Sequence, residues 1–133
     1  SEIDRLKSSG GNGEQFMKSY GGISLHNQSH GESFMAIMKN RFSGHGLYIL
    51  DEPEAALSPS RQMAMLALMK RLVDQDSQFI ISTHSPILMA YPEAEIIELD
   101  ETGFRSTPYK ETTHYRLTNY FLNNTEQMLN ELM

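Results

Sequence analysis

The sequence of 133 residues contains no cysteine. Disulfide scaffolds and thiolate metal sites are therefore excluded, and this composition agrees with a reducing, cytoplasmic setting. No apolar run approaches the roughly 20 residues that a membrane-spanning helix needs. The first ten residues, SEIDRLKSSG, lack the apolar core of a signal peptide. We therefore expect a cytoplasmic protein with no membrane span.

Basic residues are also scarce, because 11 lysines and arginines stand against 17 acidic residues and leave a formal net charge of −6. This balance argues against a nucleic-acid-binding role for the segment itself. We expect nucleic acid as a partner only through the full-length protein. Hydrophobic residues make up 39% of the chain and charged residues 21%, which is typical of a folded globular protein. The length suits a single domain over residues 1–133.

A phosphate-binding motif is absent as well. No GxxxxGK[ST] occurs in the chain, and the glycine-rich stretch SSGGNGEQ at 8–15 lacks the lysine and the hydroxyl that end this motif. The motif forms the loop whose backbone N–H groups hold the phosphates of a nucleotide. The chain alone is therefore expected to bind ATP weakly or not at all.

Short apolar segments alternate with helical patterns along the chain. LYIL at 47–50 and QFIIS at 78–82 predict two buried strands. A third strand is predicted at 96–99 and a fourth near 104–109. Strand, helix, strand, short helix and strand is typical of an α/β fold, with a mostly parallel sheet flanked by helices.

Two helices are predicted beside these strands. From Ser29, apolar residues recur with helical spacing at Phe34, Ile37, Met38 and Phe42. Ser58 and Pro59 predict the start of a second helix, as N-cap and first helical residue. We expect its buried face to consist of Met63, Leu66, Leu68, Met69, Leu72 and Val73.

The chain is expected to contain three consecutive segments. Residues 1–22 form a helical and flexible lead-in, and residues 23–110 form the core. Residues 111–133 form one or two terminal helices. All three are expected to belong to the single domain.

Asp51 and Glu52 follow the first predicted strand directly. Ligands of parallel sheets lie beyond the carboxyl ends of the strands. One acid there can hold Mg²⁺, directly or through water, while its neighbour activates an attacking water. A solvated strand end without chemistry is the other interpretation of this pair.

His84 follows the second predicted strand in ISTHSP, so we expect it at the same sheet edge as the acids. A histidine there suits the sensing of a phosphate or the polarisation of a water. A hydrogen-bonded histidine that fixes a turn is the alternative. The remaining four histidines show no metal-ligand spacing, and a transition-metal site is not expected.

QSHGES at 28–33 has two interpretations. Ser29, followed three residues later by Glu32, is the pattern of a helix capping box. The same helix start also presents a hydroxyl and backbone N–H groups that suit a phosphate. The two interpretations are compatible, because a capped helix N-terminus directs N–H groups at an anion.

In this order the motifs resemble those of the ABC-class ATPases over residues 24–90. LYILDEPEAALSP resembles their Walker B motif and D-loop, IISTHSP their H-loop, and QSHGES stands where their signature motif stands. The acidic DEPE sequence and the lack of transporter-like features are more similar to the stand-alone ATPases related to RecF and SMC proteins. The resemblance implies the C-terminal half of a P-loop NTPase core of the ABC type, without its Walker A segment and Q-loop.

The resemblance implies roles for the residues at the strand ends. Asp51 would bind Mg²⁺ through water, and Glu52 would be the general base for ATP hydrolysis. His84 would contact the γ-phosphate and the attacking water. ATP and Mg²⁺ are the implied cofactors.

The resemblance also implies a head-to-tail homodimer that meets through its signature and D-loop faces. Ser29 and Gly31 would contact the γ-phosphate held by the opposite subunit, with Glu32 where the family often has glutamine. Ser58 would belong to the D-loop that couples the two sites. The departures are His30, which replaces the first glycine of the usual signature, and Ala55 and Ser58, which replace serine and aspartate of the common D-loop.

Two other function classes remain open. A non-catalytic interaction module could keep this fold without binding nucleotide, an alternative that the missing GxxxxGK[ST] motivates. An acid-pair metal enzyme, such as a nuclease of the topoisomerase-primase type, also places carboxylates at strand ends. That class needs further acidic ligands, and ISTHSP does not supply them.

Overall fold

The computed structural model describes residues 30–133, so Ser29 and the expected lead-in at 1–22 lie outside the described part. The described part of the chain divides into two compact units, with the boundary between Thr83 and His84. None of the helices in this part is long and apolar enough to cross a membrane. The helices and strands are α1 His30–Arg41, β1 Leu47–Asp51, α2 Pro59–Asp74, β2 Gln78–Ser82, β3 Ile97–Asp100, β4 Gly103–Ser106, α3 Thr113–Asn123 and α4 Thr125–Leu132.

The first unit contains a parallel strand pair joined by a helix. β1 and β2 pair in parallel, from Leu47 opposite Gln78 to Asp51 opposite Ser82. Parallel neighbours need a crossover connection, and α2 provides it while packing against β2 and α1. This arrangement agrees with the predicted α/β class, although the parallel sheet has only two strands within the described residues.

Helix α1 buries the face that its sequence pattern predicts. Phe34, Ile37 and Met38 are at most 1% exposed, and Phe42, just after the helix, is 8% exposed. The Phe42 ring stacks on the ring of Tyr48 in β1, with centroids 4.1 Å apart and planes 7° apart. Burying side chains of this size contributes about 1.5–3 kcal/mol each, so this face attaches α1 to the strand pair.

Helix α2 begins as predicted but buries a different face. Ser58 is the N-cap, with its Oγ accepting a hydrogen bond from the Arg61 N–H at 3.3 Å. Met69 and Leu72 are buried as expected, whereas Met63 is 58% and Val73 38% exposed, so those two predictions are wrong. The buried residues of α2 are Gln62, Met65, Met69 and Leu72.

The offset in α2 has a physical cause. MAMLALM at 63–69 is apolar all round, so spacing alone does not select one face. The Gln62 side chain is buried because its Nε2 donates to the Leu57 carbonyl at 3.1 Å. Gln62 is therefore buried with its side-chain amide hydrogen-bonded, although a pattern of apolar residues alone predicts a polar residue to be exposed.

The β1–β2 pair has one partly buried and one exposed face, which corrects the prediction of two buried strands. Paired residues of parallel strands share a face. Leu47, Ile49 and Ile80 share one and are 58%, 53% and 52% exposed. Leu50, on the opposite face, is 3% exposed.

The second unit contains an antiparallel hairpin and two helices. β3 pairs with β4, and in the described sheets it has no pairing with β2, so the predicted mostly parallel sheet is limited to β1 and β2. Gly103, with a φ of 125°, ends the tight connection between the two strands. Thr112 is the N-cap of helix α3, and its Oγ1 accepts a hydrogen bond from the Tyr115 N–H at 3.2 Å.

Candidate active site

The two acids lie at the carboxyl end of β1. Asp51 is its last residue and is paired in register with Ser82, the last residue of β2. The Glu52 N–H continues the ladder by donating to the Ser82 carbonyl at 2.7 Å. Both acidic residues are exposed. The topology therefore brings the predicted acids to the sheet edge where ligands of parallel strands bind.

Glu52 adopts a backbone conformation that is unusual for its residue type. Its φ of 49° and ψ of 54° lie in the left-handed region, which costs a residue with a Cβ about 1–2 kcal/mol. The fully buried Pro53 follows and begins a 3₁₀ turn over Pro53–Ala56. Left-handed backbone ends the alternation of a strand, so Glu52 does not continue the direction that β1 would impose. Strain of this kind is concentrated at functional sites.

The turn after Glu52 has one internal hydrogen bond and one side-chain hydrogen bond to the residue that follows β2. The Ala55 N–H donates to the Glu52 carbonyl at 3.1 Å, which closes the turn on itself. The Thr83 hydroxyl donates to the Glu54 carboxylate at 2.6 Å. Sequence reasoning assigned no role to this pair, although Glu54 lies two residues after Glu52 and Thr83 lies next to His84. Their adjacency to the predicted site residues was the signal available.

The start of α1 packs against the same turn. Gly31 is buried, and a Cβ on it would lie 2.3 Å from the Ala56 carbonyl oxygen. The Arg61 guanidinium donates to the Glu32 carboxylate at 3.2 Å, across the same contact. Gly31 thus contacts the segment between β1 and α2, and Glu32 contacts the first turn of α2, both within one unit. Their roles toward a phosphate stay predictions.

His84 is the first residue of the second unit. Its ring lies edge-on to the ring of His114, with centroids 5.1 Å apart and planes at 85°. This geometry places two imidazoles side by side in that unit. The role of His84 toward a γ-phosphate stays a prediction.

The acid pair fits a weakly coordinated magnesium ion. Within residues 30–133, no group of three or more histidine, aspartate and glutamate side chains is arranged to hold a metal ion. Mg²⁺ commonly keeps several waters and uses one or two carboxylates together with substrate phosphates. The exposed Asp51 carboxylate at the strand end is of the kind that this coordination uses.

A separate cluster of charges lies on the hairpin of the second unit. The Thr102 hydroxyl and N–H, with the Arg105 guanidinium, hydrogen-bond the Asp100 carboxylate and lower its pKa to about 2. The Thr113 N–H donates to Glu98 at 2.9 Å and is the main cause of the lowered pKa of Glu98. Hydrogen bonds within this unit therefore favour the ionised forms of Asp100 and Glu98.

A parallel strand–helix–strand unit with acids at its carboxyl edge agrees with an α/β protein. A family model described as AAA ATPase domain matches residues 14–89, more than half of the chain. The chain belongs to this family of P-loop-type ATPase domains. Family membership indicates an ATPase-type function in general. No curated protein matches the chain significantly.

Proposed function

We propose that this chain is the catalytic half of an ABC-type ATPase domain, of the stand-alone type related to RecF and SMC proteins. The observation that carries the proposal is the position of Asp51 and Glu52 beside Ser82, at the carboxyl edge of the parallel pair. The match to an AAA ATPase domain supports an ATPase. The ABC type rests on the order of the signature-like, Walker B-like and H-loop-like motifs.

In this proposal each residue of the strand end has its own role. Asp51 holds Mg²⁺ through water, and Glu52 accepts the proton of the water that attacks the γ-phosphorus. His84 contacts the γ-phosphate. Bound MgATP supplies the phosphoryl group, and ADP leaves as the bond between the γ-phosphorus and its bridging oxygen breaks.

The proposed active form is a head-to-tail homodimer. Ser29 and Gly31 belong to the signature face that meets the γ-phosphate held by the partner subunit, with Glu32 beside them. Ser58 belongs to the D-loop face. The close approach of Gly31 to the Ala56 carbonyl lies within one subunit, and the dimer rests on the order of the signature-like and D-loop-like motifs.

Replacing Glu52 with glutamine in the full natural protein tests the base. Glutamine keeps the size of the side chain but does not accept a proton, so we expect kcat for MgATP to fall by about 10²–10⁴-fold. Nucleotide affinity should stay within about threefold of wild type. Steady-state phosphate release and equilibrium titration with MgATP provide the two measurements.

The matched control is Glu126→Gln, the same change at an exposed position of α4. It should leave both kcat and affinity unchanged. Turnover at the wild-type rate in Glu52→Gln would defeat the assignment of the base. Failure of the full natural protein to bind MgATP would instead favour the non-catalytic interaction module, which the missing GxxxxGK[ST] supports.

A further inference from the structure

The turn between β1 and α2 is tied to the end of β2 by consecutive residues. The Ser82 carbonyl accepts the Glu52 N–H at 2.7 Å. The next residue, Thr83, donates its hydroxyl to the Glu54 carboxylate at 2.6 Å, in a partly buried position. The end of β2 therefore contacts the turn once through its backbone and once through a side chain.

The side-chain contact restrains the part of the turn that the backbone contact does not reach. The backbone of Glu52 is in the left-handed region. A residue with a Cβ keeps this conformation only where the surrounding structure restrains it. Pro53 is buried and has no N–H to contribute to a hydrogen bond. Glu54 is thus the first residue beyond Glu52 whose side chain links the turn to the neighbouring strand.

We propose that Thr83 and Glu54 are positioning residues that fix the direction of the Glu52 carboxylate, an inference that rests on the proposed function. A hydrogen bond to a carboxylate is stronger than one between neutral groups. It holds Glu54, and with it the turn, against β2. Glu54 takes no proton from the attacking water. Its carboxylate oxygen accepts a hydrogen bond from the Thr83 hydroxyl.

The first test removes the donor. Thr83→Val has nearly the same shape as threonine but no hydroxyl, and misplacement of a catalytic group by about 1 Å costs up to 10²-fold in rate. In the full natural protein we expect kcat for MgATP to fall about 10-fold, with KM within about twofold. Thr83→Ser keeps the hydroxyl and should retain at least half of the wild-type kcat. The matched control is Thr118→Val, at an exposed position of α3, which should change neither parameter.

The second test changes the acceptor. Glu54→Gln keeps an oxygen that accepts from Thr83, so its kcat should stay within about threefold of wild type. Glu54→Leu removes the acceptor and should reproduce the loss seen in Thr83→Val. The double variant Thr83→Val/Glu54→Leu should be no slower than the slower single variant, because both changes break one contact. If Thr83→Val does not fold, the contrast between the two Glu54 variants decides the question.

Several outcomes would overturn the inference. They are wild-type kcat in Thr83→Val or in Glu54→Leu, equal losses in the serine and valine variants, or a rise in KM with kcat unchanged. A complete loss of turnover in Glu54→Gln would make Glu54 itself the base. Glu52→Gln measured in the same series separates the two proposals. If it stops hydrolysis while Thr83→Val does not slow it, only the positioning role fails.

Discussion

Glu52 shows how a single residue combines an exposed acid with a backbone that its Cβ disfavours. Its identity and its place after a strand are predictable, because LYIL followed by two acids ends in a polar turn. Its left-handed φ of 49° was not predictable. That angle accompanies the burial of Pro53 and the hydrogen bond to the Ser82 carbonyl, which lies 30 residues away in sequence. The contact between Glu54 and Thr83, 29 residues apart in sequence, escaped prediction for the same reason.

The acid stability of the hairpin should depend on Asp100. Its pKa in the folded chain is about 2, below the ordinary 3.8, chiefly because Thr102 donates hydrogen bonds to the carboxylate. A lowered folded pKa means that the contribution of Asp100 to stability is full above pH 3.8 and is lost as the pH falls toward 2. We expect Asp100→Asn to remove this part of the pH dependence. Acid unfolding curves of wild type and variant check the prediction.

The titration of Asp100 can also be observed directly by carboxyl ¹³C NMR. Thr102→Val removes the hydroxyl donor, which lies 2.6 Å from Asp100 Oδ1, and should raise the midpoint of the titration. A wild-type midpoint at the ordinary 3.8 would contradict the assigned hydrogen bonds.

At the scale of elements, α1 and the turn after β1 form one packed contact. Gly31 lets the backbone of the helix approach the Ala56 carbonyl, and the Glu32–Arg61 ion pair crosses the same contact. The ion pair is partly exposed and contributes little by itself. The close approach of the glycine is therefore the more restrictive feature.

Gly31→Ala gives a sharp test, because two effects oppose each other. Alanine favours a helix over glycine by up to about 1 kcal/mol. Overpacking a buried contact costs about 1–3 kcal/mol, and a Cβ 2.3 Å from a backbone oxygen lies at the severe end. We expect a net loss of about 1–2 kcal/mol in the free energy of unfolding, measured by urea denaturation.

The control for that variant is Lys39→Ala, at an exposed position of the same helix, which should change stability by less than about 0.5 kcal/mol. A Gly31→Ala variant more stable than wild type would show that helix propensity outweighs the contact with Ala56.

The elements also show where sequence periodicity fails. The burial of α1 was predictable because its apolar residues occupy one stripe. The buried face of α2 was not predictable, because residues 63–69 are apolar on every side of the helix. The burial of Gln62 also depends on its hydrogen bond to the Leu57 carbonyl. Start signals were more dependable than faces, because Ser58 caps α2 by a local contact.

At the scale of the whole molecule, the order of elements was predictable and their pairing only in part. The parallel pairing of β1 and β2 follows from the helix between them. The pairing of β3 with β4 follows from the short turn at Asp100–Gly103, which joins the third and fourth predicted strands directly. The division into residues 1–22, 23–110 and 111–133 stays a prediction.

Nucleotide binding by the 133-residue chain is the prediction that belongs to this scale. Most ground-state affinity of P-loop enzymes for nucleotide comes from the glycine-rich loop, its lysine and the metal bridge. Because the chain has no GxxxxGK[ST], we expect calorimetric titration with MgATP to show no binding tighter than about 100 μM, roughly −5.5 kcal/mol. Sub-micromolar affinity would show that another segment holds the phosphates.

The exposed face of the β1–β2 pair has a consequence for handling the chain in solution. Leu47, Ile49 and Ile80 are more than half exposed and lie on the same face of the β1–β2 pair. Exposed apolar side chains on strands promote the growth of aggregates between molecules. We therefore expect aggregation to increase steeply with protein concentration. Charged substitutions at Ile49 or Ile80 should reduce it.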